Sequence, residues 1–215
     1  EDVKTDDLIT FLSTNVEAVD RRQVVREIGA TIAVGAVAAV GVMLLALGVR
    51  ADLTNSWTLI FLVAKLAFAI GIAVLASVFL MKMARPGGEG RVAITWAALP
   101  LVATMLLAVI SLAFAPASHW HMMIMGDQWL ECLLSIPIIA IVPFAAVIWV
   151  MRRMAPTDLT RAGALAGLVA GGLSAAGYAL HCTDDSLPFI ALWYGGTIVL
   201  CTLAGTLLGP RLLRW

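Results

Sequence analysis

Six long apolar runs, at about 28–49, 57–81, 92–115, 130–151, 162–180 and 188–209, constrain this chain more than any other feature. Each is close to the ~20 residues a helix needs to cross a bilayer. That layer holds no water to satisfy exposed N–H and C=O groups, so only helices and closed barrels span it. The runs are continuous rather than alternating, which excludes a barrel. The expected fold is all-α: a polytopic membrane protein, a bundle of six transmembrane helices. Of 215 residues, 61% are hydrophobic and 13% charged, which leaves little chain for a soluble catalytic domain. Lys plus Arg equals Asp plus Glu at 14 each, so there is no general basic surface for direct nucleic-acid binding. Three cysteines are too few for a disulfide-stapled scaffold.

Residues 1–27 are the one long polar stretch, so the chain divides into an N-terminal segment, 1–27, and a transmembrane domain, 28–215. Glu1, Asp2, Asp6 and Asp7 stand where a signal peptide carries basic residues, and the first apolar run is expected to be a retained anchor. The positive-inside rule gives the orientation. With six spans, Lys4, Arg21, Arg22, Arg26, Lys82, Arg85, Arg91, Arg152, Arg153, Arg161, Arg211 and Arg214 fall on one side and Arg50 on the other. Both termini are therefore expected in the cytoplasm. The opposite face receives Asp52, Asp127, Glu131, Asp184 and Asp185, with all three histidines.

The N-terminal segment carries its own signal. Thr5 suits a helix cap, and Asp6 and Asp7 suit a positive helix N-terminus. Leu8, Ile9, Leu12, Val16 and Val19 follow at helical spacing and form one apolar stripe. A helix that cannot build its own core needs a membrane or a partner's groove to lie on. Residues 1–20 set Lys4 against six acids, which anionic lipid repels. A partner protein is the better match.

Within the spans, Gly163, Gly167 and Gly171 line one helix face, and Gly205 and Gly209 repeat the spacing. Small residues let membrane helices approach closely, either inside the bundle or at a dimer seam. Internal packing is expected. Lys65 lies about a third of the way into the second run with no acid deep in another span. It is expected to snorkel or to hold a backbone carbonyl rather than to transport an ion.

Two thiols mark the non-cytoplasmic face. Cys132 begins the fourth run and Cys182 follows the fifth, at similar depth, so both can reach one pocket. Such a pair can form a disulfide or capture a soft metal ion. His181, if protonated, would lower the Cys182 thiol pKa. Cys132, Cys182 and His181 are therefore candidate metal ligands. His119 and His121, beside Met122, Met123 and Met125, are weaker candidates, since interfacial packing also accounts for them. Cys201 reads as a small buried hydrophobe. No phosphate-cradling loop and no catalytic triad order appear, so no enzyme activity is expected.

Four stretches resemble the NrsF family: Lys4 to Ile9, Gly126 to Cys132 running on to Pro137, Tyr178 to Cys182 with Asp184-Asp185-Ser186, and Trp193-Tyr194 through Gly209 to Trp215. The resemblance implies a six-helix anti-sigma factor of the bacterial inner membrane. Its implied partner is an extracytoplasmic-function sigma factor, released under heavy-metal or oxidant stress. It implies Cys132 and Cys182 as sensor cysteines. Lys4, Thr5, Asp6, Asp7, Leu8, Ile9 and Leu12 would bind sigma. No resident cofactor is implied; a soft or transition metal ion would act as inducing ligand. A membrane thiol oxidoreductase and a small metal-binding or transport protein remain the alternatives.

Overall fold

The computed structural model describes residues 5–14, 21–84 and 94–214. Lys4, Val16 and Val19, and the side chains of Leu8 and Leu12, lie outside the described residues. The helices are α1 (Thr5–Thr14), α2 (Arg21–Ala46), α3 (Ser56–Met83), α4 (Leu99–Phe114), α5 (Trp120–Met125), α6 (Trp129–Met154), α7 (Leu159–Tyr178), α8 (Leu187–Phe189) and α9 (Gly195–Leu212). A wide π-helical turn, Ile190–Tyr194, joins α8 to α9. Among the described residues, six helical stretches are long and apolar enough to cross a membrane, as the runs predict.

The spans begin and end for local reasons. Asn55 accepts a hydrogen bond from Trp57 N at 3.2 Å and starts α3. Asp158 accepts from Arg161 N at 2.9 Å and starts α7; short polar side chains at these positions satisfy N–H groups that have no helical partner. The chain leaves α2 through Gly48 at φ +77, a left-handed conformation that glycine adopts at no steric cost.

α7 is the centre of the bundle. Over its apolar stretch 61% of residues are buried, against 11% for α4 at the periphery. It packs on α9 first, then on α3, α6 and α2. The glycine face explains the closeness of the first contact. A methyl group on Gly163 would land on the Gly205 carbonyl oxygen and 2.6 Å from Gly209 Cα. A methyl on Gly167 would meet the Cys201 carbonyl. The glycines thus serve internal packing, as expected, with backbone against backbone. Cys201 is 8% exposed in that interface, a small buried hydrophobe as read.

The two ends of the bundle differ. One core cluster gathers the start of α2, the ends of α3 and α6 and the start of α7, through Val24, Ile28, Leu80, Met151, Ala162 and Leu213. The other lies where α2–α3, α4–α6 and α7–α8 are connected, through Leu62, Cys132, Ile136, Tyr178, Cys182 and Tyr194. α1 precedes the first end. Its Asp6, Asp7 and Ile9 side chains are exposed, Ile9 by 58%.

Candidate functional site

At the second end the segment linking α7 to α8, residues 179–186, is held from three directions. Cys182 lies in this segment and Cys132 in the first turn of α6; both side chains are 0% exposed and both thiols are free. They share one cluster with Tyr178, Phe189 and Tyr194. The Tyr178 and Tyr194 rings stand 6.0 Å apart. The π-helical turn belongs to this construction, since Tyr194 is its last residue. Such turns recur at functional sites. Among the described residues, the buried Tyr178 hydroxyl has no hydrogen-bond partner, while the Tyr194 hydroxyl faces the Cys182 thiol.

Asp184 faces α6. Its carboxylate accepts from Asp127 N at 3.0 Å and from Gln128 N at 2.7 Å. These donors open the helix that carries Cys132, where backbone N–H groups lack helical partners and the dipole favours an anion. Gln128 answers by accepting from Thr183 N at 3.0 Å. Gly126 makes the approach possible. It sits at φ +59, and a methyl there would fall 2.6 Å from Asp184 Oδ2. Ser186 Oγ donates to Met123 O at 2.6 Å, and Trp193 Nε1 donates to Ile124 O at 2.9 Å. The stretches Gly126 to Cys132 and His181 to Ser186, separate in sequence, form one interlock.

Asp185 faces the other way. It pairs with Lys65 Nζ at 2.9 Å and Arg50 Nη2 at 2.8 Å. Arg50 also pairs with Asp52, Nε to Oδ1, at 2.6 Å. Two cations thus meet two carboxylates. Both cations also donate to the Cys182 carbonyl oxygen, Arg50 Nη1 at 2.8 Å and Lys65 Nζ at 3.0 Å. The Lys65 side chain is 0% exposed. Among the described residues no acid of another span reaches it, but a partner outside the spans does: a connecting segment folds inward and brings Asp185 to it. Its carbonyl contact stands as read. Arg50 hydrogen-bonding holds Asp52 down at about 2, and the carboxylates raise Arg50 further above its ordinary value.

His181 is used differently from its expected role. Its Nδ1 lies 3.1 Å from Gly48 O and its Nε2 3.9 Å from Glu131 Oε2. The expected lowering of the Cys182 thiol is overturned: burial dominates and raises it above its ordinary 9.0, against a smaller opposite pull from Lys65. His119 and His121 are exposed, outside the buried thiol cluster. Among the described residues no three His, Cys, Asp or Glu side chains gather to hold a metal ion. The two thiols offer at most a two-sulfur site, of the kind soft ions accept.

Sequence reasoning placed the thiols but missed Arg50, Asp52, Asp184 and Asp185 as parts of the same site. A signal was present: an intramembrane lysine calls for a named partner, and every nearby acid lay at this end.

Six apolar helices closed over a buried dithiol and ion-pair cluster define a polytopic helical membrane protein. The chain belongs to the NrsF family: the family model, described as negative regulator of sigma F, matches residues 12–215. The family is regulatory rather than catalytic. The chain is similar to the probable anti-sigma-F factor NrsF of Azospira oryzae, 33% identical across 99% of this chain and 100% of that protein. It is also similar to the anti-sigma-F factor NrsF of Caulobacter vibrioides, 29% identical across 99% of this chain and 100% of that protein. No solved structure matches it.

Proposed function

We propose that the protein is a transmembrane anti-sigma factor of the bacterial inner membrane. Its N-terminal segment, 1–27, holds an extracytoplasmic-function sigma factor, and reaction of Cys132 and Cys182 on the periplasmic side releases it. One observation carries this reading: the two thiols share a buried cluster at one end of the bundle, while α1 precedes the other end. The anti-sigma names of the relatives support the output. The positive-inside rule supports a cytoplasmic location for both termini. The buried Tyr178 hydroxyl, without a hydrogen-bond partner among the described residues, supports a working site rather than inert core, because an unpaired buried polar group destabilises a fold by ~1–3 kcal/mol.

The input is an oxidant or a soft metal ion. Either would join the two sulfurs and change the constraint between α6 and the α7–α8 segment. A bound state that differs between two bundle arrangements shifts their equilibrium. Lys65 gives the transport alternative no support, since its charge is already matched by Asp185.

The test is co-purification of the full-length protein from native membranes, with the captured protein identified, alongside a sigma-dependent reporter. Capture of a sigma factor, lost on deletion of residues 5–12, supports the reading. Reporter output that stays repressed after that deletion removes α1 as the inhibitory element. A reporter blind to oxidants and metals in the wild type, or unaltered by Cys132→Ser and Cys182→Ser, removes the thiols as the input.

A further inference from the structure

We infer that Lys65 and Arg50 are positioning residues for Cys182, fixing its backbone so that its thiol stays shut in against the Cys132 side of the cluster. The link to signalling rests on the reading of the two cysteines as the input; the positioning itself does not.

The geometry is specific to this cysteine. Two cationic side chains from different elements converge on one carbonyl oxygen, that of Cys182. Hydrogen bonds from charged donors are about twice as strong as neutral ones. Three residues on, Asp185 takes the same two cations. The segment is therefore stapled twice within four residues, to α3 by Lys65 and to the exit of α2 by Arg50. Arg50 N also donates to Leu180 O at 3.1 Å, which ties the α2 exit to the residue two before Cys182.

Lys65 enforces this arrangement from below. Its ammonium is fully buried, and among the described residues it donates to the Cys182 carbonyl and to Asp185. If the segment lifted away, the ammonium would lose both at once. A buried charge without a partner is strongly unfavourable, so the segment is pulled down onto Lys65. Closing the bundle alone would need only a side-chain pair; here the backbone of the cysteine itself is held. Asp184 fixes the opposite flank to the first turn of α6. Cys182 is thus held to α3 and the exit of α2, while Asp184 holds the start of the helix that carries Cys132.

The test is site-resolved alkylation of the full-length protein in membrane vesicles by N-ethylmaleimide, read by mass spectrometry. Cys201, buried between α7 and α9, reports whether the bundle remains folded. In Lys65→Met, Cys182 should label about tenfold faster than in the wild type through easier local opening, with Cys201 still protected. Arg50→Gln should act in the same direction, and Lys65→Arg, which keeps the charge, should return the rate toward wild type. If Lys65→Met also exposes Cys201, the comparison passes to Lys65→Met/Asp185→Asn, in which the Asp185 carboxylate is not left short of a cation. Wild-type labelling of Cys182 in a variant that protects Cys201 overturns the positioning role. A wild-type reporter that ignores thiol oxidants would instead sink the input reading and leave the labelling result standing.

Discussion

Asp185 lies 2.9 Å from Lys65, 120 residues away in sequence, and closes an ion pair between a connecting segment and the body of a membrane-spanning helix. The pair explains how a chain with so few charges keeps one at 0% exposure. It also makes the α7–α8 segment part of the core rather than a surface loop.

Asp185→Asn should therefore lower the melting temperature in detergent strongly. It leaves Lys65 and Arg50 facing each other with Asp52 as the remaining carboxylate, and breaking a buried pair from one side costs ~3–5 kcal/mol. Lys65→Met/Asp185→Asn should recover most of that loss, because Arg50 then keeps Asp52 to itself. An unmoved melting curve for Asp185→Asn would mean that water already solvates the cluster.

Gly126 offers a second test of the same end. Its φ of +59 disfavours any side chain, and a methyl would crowd Asp184 Oδ2 at 2.6 Å and Phe189 Cδ2 at 2.7 Å. Gly126→Ala should destabilise by ~1–3 kcal/mol, the range for a residue held in such a backbone region. Gly196→Ala is the control, because nothing lies within 4 Å of a methyl there. Equal melting of the two variants would contradict the interlock of Asp184 with α6.

The α7–α9 seam predicts a steeper response. Gly163→Val and Gly167→Val must push apart backbones that meet directly, so folded yield in membranes should collapse for both. Gly41→Val, with open space around it, should express normally. Normal yield of the seam variants would show that the two helices separate easily.

Thiol chemistry should follow pH in a defined direction. Burial lifts Cys182 above 9.0, so its alkylation in the folded protein should stay slow through neutral pH and rise only beyond 9.0. The same shift has a stability consequence. The folded state keeps the thiol proton longer than the unfolded state, so this contribution is complete below 9.0 and is lost as pH rises through the higher folded value. A rate profile matching the denatured protein would show an exposed thiol.

At the other end, Ile9 is 58% exposed on α1. Ile9→Ser should weaken capture of the sigma factor by about tenfold, the effect of ~1.4 kcal/mol at an apolar anchor. It should leave the melting temperature unchanged. A loss of bundle stability would place Ile9 in the fold instead of at a partner surface.

The spans were legible because a bilayer leaves the chain little choice, and the counting of spans alone brought Cys132 and Cys182 to one end. The Gly163 face was legible because helical spacing decides it. Lys65 shows where such reading stops. Its partner is not on a helix, so no periodicity announces it, and only the inward fold of 182–186 delivers Asp185. His181 shows the same limit. Adjacency to Cys182 in sequence suggested a shared environment, but the turn ending α7 sends the imidazole to Gly48 while the thiol goes inward. Asp184 and Gly126 are separated by almost sixty residues, and their meeting depends on a backbone conformation that residue type permits but does not dictate.

The glycine seam between α7 and α9 has a thermal consequence. Glycine has no rotamers to freeze, so joining these two helices restricts almost no side-chain motion. Where Gly163, Gly167 and Gly205 meet their partners, backbone lies on backbone, and few side chains are left there to re-sort when a neighbour moves. The two helices consequently behave as a single beam with one fit, and compliance must come from whatever rests against it.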